Sequence, residues 1–232
     1  MFNATLSVMD RGGSWSETDI HQVNVTDTTG PVPIITVNNI VIDEEISLLT
    51  NQRILFSAGR TTDNVPLTSL DFHWDWGDGT ADSGMGAYSQ QHEWGDIDGE
   101  NITYTLVVTV SDGINNGTKT INVTINNRLP IQIFSENMTT MTYTNLVLPD
   151  VFIDDDGTIE TYDWSFTDGV RIATGIPARG DDYSTISSTI SNPIVAWDAP
   201  GNKTIMLTVT DDDGSVMTAM LNVMVLNQLP VA

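Results

Sequence analysis

Two groups of acidic residues have the types and spacing to do chemistry. Asp75 and Asp78 sit close together in "HWDWGDGT" (73–80), and a pair of carboxylates can share general acid and base work on a glycosidic bond. The second group is larger: Asp154, Asp155 and Asp156 in "DDDGTIE", and Asp211, Asp212 and Asp213 in "DDDGS". Carboxylates gathered without Lys or Arg nearby repel one another, and a hard cation with oxygen ligands removes that cost. His21, His73 and His92 are too scattered for a zinc spacing. No Gly-x-Ser-x-Gly elbow, P-loop or Gly-x-Gly-x-x-Gly is present.

The elements that would position the first pair argue against catalysis. In "DFHWDWGDGT", Phe72, Trp74 and Trp76 alternate with His73 and Asp75. A strand puts the three aromatics on one face and His73 and Asp75 on the other. Gly77-Asp78-Gly79 then reads as a tight turn, with glycines for positive φ and an Asp to accept turn amides. A second stretch, "YDWSFTDG" (162–169), repeats the aromatics as Tyr162, Trp164 and Phe166, and Asp168-Gly169 matches Asp78-Gly79. Ser165 stands where Asp75 stands, so the repeat keeps the aromatic strand and turn and loses the acid pair. Trp74, Trp76, Trp164 and Phe166 are therefore core residues, and the chain is read as a non-enzyme.

Further repeats set the organisation. "NATLSVMD" (3–10), "YTLVVTVSDG" (104–113) and "IMLTVTDDDG" (205–214) each alternate apolar and polar residues, the period of a half-buried strand. Each is followed by a second alternating run, "HQVNVTD" (21–27), "TINVTIN" (120–126) and "MLNVMVLN" (220–227), and then by a proline segment. Strand, acidic turn, strand reads as a hairpin. Asn24, Asn122 and Asn222 hold the same place, 98 and 100 residues apart, which is one sandwich-sized period. Complete repeats span 31–128 and 129–230. Residues 1–28 supply the last hairpin of a truncated preceding repeat, with Leu6 and Val8 facing an incomplete core, so the chain reads as a fragment of a longer protein.

The string "FSAGRTTD…SLDFHWDWGDG…HEW…ITYTLVVTVSDG…TINVTINNRLP" resembles a polycystic kidney disease (PKD) domain. Phe72, Trp74, Trp76, Asp78, Trp94 and Asp112 take the family's places in the first repeat, and Tyr162, Trp164, Phe166, Asp168, Trp197 and Asp211 in the second. The resemblance implies an all-β fold of tandem immunoglobulin-like, antiparallel β-sandwiches. It also implies repeats of extracellular cell-surface proteins, or modules appended to secreted enzymes.

On a sandwich, 154–156 joins strands B and C and 211–213 joins F and G, and those loops share one end of the fold. The six aspartates are expected to meet at the junction with the first repeat and to bind Ca2+; the alternative is a set of solvated Asp-Gly turns. The first repeat is poorer there, offering Asp63 and Asp112. The net charge of −23, from 8 basic and 31 acidic residues, disfavours nucleic acid and anionic membrane as partners. There is no cysteine, and no apolar run approaches a membrane span; the first ten residues lack the basic and apolar regions of a signal peptide. Sequons at Asn3, Asn24, Asn101, Asn116, Asn122, Asn137 and Asn202 read either as glycosylation sites or as accidents of a Thr-rich strand protein. Met206, Met220 and Met224 fall on the outward face of the last hairpin, as a contact surface or as packing under a loop.

The functional expectation is a non-catalytic structural or adhesion repeat, extracellular or at the cell surface. It would act as a spacer or interaction unit, with other repeats, surface proteins or glycans as partners. The alternative is a carbohydrate-binding or accessory module of a secreted hydrolase, for which Trp15 is the sole tryptophan not assigned inward.

Overall fold

The computed structural model describes residues 1–172, 183–188 and 190–229, with 168–172 and 183–188 as backbone alone. In chain order the strands are β1 (Phe2–Leu6), β2 (Asp19–Val23), β3 (Thr36–Val37), β4 (Ile40–Val41), β5 (Glu45–Leu49), β6 (Ile54–Ser57), β7 (Asp71–Asp75), β8 (Ala81–Met85), β9 (Ser89–His92) and β10 (Asn101–Ser111). They continue as β11 (Asn116–Asn126), β12 (Ile131–Gln132), β13 (Met138–Met141), β14 (Leu146–Val147), β15 (Phe152–Ile153), β16 (Ile159–Ile172), β17 (Tyr183–Ser188), β18 (Ile194–Ala196), β19 (Gly201–Asp211) and β20 (Val216–Leu226). The fold is all-β. Among the described residues no helix is long and apolar enough to cross a membrane.

Both sequence repeats build the same sheet edge. In the first, β7 pairs antiparallel with β10, and β5 runs parallel to β11. In the second, β16 pairs antiparallel with β19, and β13 runs parallel to β20. The chain divides into two compact units: Met1–Asp43, Leu55–Gln90 and Leu106–Thr120 form one, and Glu44–Ile54, Gln91–Thr105 and Ile121–Ala232 the other.

In the first unit Phe72, Trp74 and Trp76 are fully buried, as alternation requires. Trp74 and Trp76 stack with centroids 5.5 Å apart. Their indole N–H groups donate to Ala87 O at 3.0 Å and Asp82 Oδ2 at 2.9 Å, which removes the cost of burying them. Gly77 and Gly79 take φ of 81° and 90°, the left-handed region the turn needs. Gly117 is fixed by contact: a Cβ there would lie 1.8 Å from Pro31 O.

In the second unit one core gathers Leu148, Val151 and Phe152 with Trp164 and Phe166 of β16, and with the inward faces of β19 and β20. Trp164 sits opposite Leu207 as Trp74 sits opposite Val108. The expected turn at Asp168-Gly169 is absent. β16 runs on to Ile172 and changes partner, from β19 to β18 through Arg171↔Ala196 and Ile172↔Val195. Thr167 in place of Gly77 leaves no permissive glycine at the first bend position, and an extended chain continues.

Residues 1–28 carry a hairpin, as expected. β1 and β2 pair antiparallel from Phe2↔Val23 to Leu6↔Asp19, but every residue of both strands is exposed. Leu6 and Val8 are exposed. Val8 lies beyond the end of β1 and Asn24 beyond the end of β2.

Candidate functional site at the acidic loops

Residues 154–158 connect β15 to β16, and 211–215 close the β19–β20 hairpin. The second loop is built around Asp211, which is 1 % exposed. Its N–H donates to Ser215 O at 3.1 Å, and its Oδ1 accepts from Ser215 N at 2.6 Å. Gly214 supplies the positive φ, 88°. The loops are laced together: Asp212 N donates to Thr158 O, and Thr158 N to Asp212 Oδ1, both at 2.9 Å. A Cβ at 157 would lie 2.3 Å from Asp212 Oδ1, so any residue but glycine there would displace that carboxylate.

Asp156 is 8 % exposed. Its Oδ2 accepts from Arg128 N at 2.9 Å and from the Thr50 hydroxyl. Arg128 Nε donates in turn to Thr50 O at 2.8 Å. Asn127 Nδ2 donates at 3.0 Å to both Asp211 Oδ2 and Ser215 Oγ. Gly99 N donates to Asp213 Oδ1 at 2.7 Å. The carboxylates of the second repeat are thus the acceptors for amides and a hydroxyl at positions 50, 99, 127 and 128. Two buried oxygens are left without a hydrogen bond, Asp156 Oδ1 and Asn127 Oδ1.

The crowding of acids has an electrostatic signature. Burial pushes the Asp154 carboxyl up to about 6, and its hydrogen bond to Asp156 and the charges of Asp156 and Asp211 push the same way. Asp213 is raised by burial and by the charges of Asp96, Asp212 and Asp211, against the Gly99 N–H that lowers it.

Of the six aspartates, 154, 156 and 211 come close together, Asp212 turns to Thr158, Asp213 turns to Gly99, and Asp155 is exposed. Among the described residues no group of three or more His, Asp or Glu side chains stands where it could hold a metal ion. Thr50, Asp96, Gly99, Asn127 and Arg128 were not foreseen from the sequence. The Asp-rich "GDIDGEN" stretch that holds Asp96 and Gly99, and the "NNRLP" segment that holds Asn127 and Arg128, were the signals available.

The other acid pair serves its own turn. Asp75 Oδ1 accepts from Gly77 N at 3.1 Å, and Asp78 Oδ1 from Thr80 N at 2.9 Å and Thr80 Oγ1 at 2.6 Å. The seven sequon asparagines are all exposed. Met206, Met220 and Met224 are 45 %, 65 % and 42 % exposed on the outward face.

No family model matches the chain, and no curated protein matches it. Solved structures with similarity include fibronectin(III)-like modules of Clostridium thermocellum CbhA, at 16% identity and TM-score 0.29, covering 84% of this chain and 95% of that one. The immunoglobulin pair IG1+IG2 of DIP-gamma matches at 8% identity and TM-score 0.37, covering 84% of this chain and 99% of the other. Extracellular cadherin domains 3–6 of protocadherin gamma B2 match at 11% identity and TM-score 0.34, covering 98% of this chain and 60% of theirs.

Proposed function

We propose that the chain is a non-catalytic spacer and adhesion module of an exported protein, built of PKD-type repeats whose junction is tied by hydrogen bonds. The observation that carries this reading is the set of bonds from Thr50, Gly99, Asn127 and Arg128 to Asp156, Asp211 and Asp213. Hydrogen bonds to a charged acceptor contribute roughly 1.5–3 kcal/mol each, so four of them between residues of the two sequence repeats favour a stiff connection. The test is NMR relaxation on the whole chain. One common tumbling time for both repeats is expected; two independent times would sink the spacer reading.

A second reading adds Ca2+, and one observation favours it: Asp156 Oδ1 and Asn127 Oδ1 are buried oxygens without partners. Ca2+ takes oxygen ligands of this kind. Binding to the folded state alone adds roughly 2.7 kcal/mol at a hundredfold excess over Kd. The melting temperature of the second repeat should rise with Ca2+ and fall with chelator. An unchanged melting curve in millimolar Ca2+ removes this reading and leaves the hydrogen-bonded junction standing.

A further inference from the structure

A shallow groove of about 330 Å³ lies on the outward face of the second repeat, lined by Asn137, Met138, Thr139, Asn202, Asn222, Val223 and Met224. Its size is at the lower end of that of small-ligand sites. In a chain of net charge −23, none of these residues ionises. The side chains that face out are carboxamides, a hydroxyl and a thioether, a set that suits a neutral ligand rich in hydroxyl groups.

The strand register fixes the layout. Met224 of β20 lies between Thr139 of β13 and Asn202 of β19 as Cα partners. One pleat away, Asn222 is partnered by Thr204. Alternation turns Asn202 and Thr204 outward, with Lys203 and Ile205 buried between and beyond them. Asn202-Lys203-Thr204 is a sequon, and Asn137-Met138-Thr139 is another whose residues line the same groove. The carboxamides of Asn137 and Asn202 make no hydrogen bond among the described residues, and both residues are exposed.

We propose that this groove is the seat of an N-linked saccharide carried by Asn202, its first sugar lying across Met224 toward Asn137 and Asn222. In forming the link, Asn202 Nδ2 loses one proton and bonds to the anomeric carbon of a saccharide. The pyrophosphate of a lipid-linked saccharide donor departs as leaving group, with no change of oxidation state. Asn202 is the attachment point because it is the direct cross-strand neighbour of Met224, the apolar floor. Asn137 immediately precedes β13, two residues before Thr139, and it lines the same groove, where its carboxamide can pair with sugar hydroxyls.

The whole chain, produced through a secretory pathway that N-glycosylates, tests this by glycopeptide mapping and by methionine oxidation with hydrogen peroxide. Oxidation follows exposure, so Met220 is the internal control. Saccharide is expected on Asn202, with Met224 oxidising several-fold more slowly than in Asn202→Gln, while Met220 reacts equally in both. A bare Asn202, whatever the state of the other six sequons, overturns the proposal. So does an occupied Asn202 that leaves Met224 as reactive as in the variant.

Discussion

The turn between the two long strands occurs twice, and the two versions are put to different use. In the first repeat the Asp112 carboxylate is satisfied within its own turn: Oδ1 accepts from Ile114 N at 2.6 Å and Asn115 N at 2.7 Å. Those amides, Asn115 first, hold its carboxyl below the usual range. In the second repeat Asp211 begins the same way, with Oδ1 on Ser215 N. Its other oxygen reaches Asn127, and the loop beside it carries Asp156, which reaches Thr50 and Arg128. Burial first, and then the neighbouring acids, push the Asp154 carboxyl up to about 6. Asp-Gly turns of one local design are closed in one place and connective in the other.

The largest effects calibrate what the repeats share. Trp74→Ala and Trp164→Ala each remove an indole that is at most 1 % exposed, and each should cost roughly 3–5 kcal/mol in urea unfolding. If only one of them destabilises, the two cores are not equivalent.

The next effect separates the turns. Asp156→Ala leaves Arg128 N–H and the Thr50 hydroxyl without their acceptor and should cost roughly 1–3 kcal/mol. It should also raise hydrogen exchange at Arg128. Asp112→Ala should be milder and confined to exchange at Ile114 and Asn115. Equal and local effects from both would erase the distinction between the turns.

The pH dependence should have opposite signs. Asp154 in the folded chain holds a proton from the ordinary carboxylate range, near 4, up to about 6. The folded state binds more protons in that window, so this group's contribution to stability falls as pH rises through it and is level above. Asp112 is lowered, so its contribution is present above its ordinary value and is lost as pH falls below it. Melting of the parent against Asp154→Asn should therefore diverge between about pH 4 and 6, with the parent losing ground as pH rises. A constant difference would mean that Asp154 is not crowded as described.

The smallest effect is Asp75→Asn, expected within about 0.5 kcal/mol by the same urea measurement. A loss as large as that of Trp74→Ala would mean the carboxylate does more than accept from Gly77.

How much of this could be read in advance follows the range of the forces. Alternation in "DFHWDW" put Phe72, Trp74 and Trp76 inside, and all are buried. A strand's two faces are set by the residues themselves. The glycines at 77 and 79 announced their turn for the same local reason. The meeting of the 154–156 and 211–213 loops also followed from sequence once the sandwich was inferred, because strand order fixes which loops share an end.

Tertiary structure alone decided what those loops touch. Thr50 lies 106 residues from Asp156 and Gly99 lies 114 from Asp213; no spacing rule links them, and the pairing depends on where packing brings each backbone. Where Thr167 had already removed the glycine of the expected turn at Asp168, packing supplied β16 with a new partner in β18. It left the β1–β2 hairpin bare, since a ribbon's inward face is buried only where a second layer covers it.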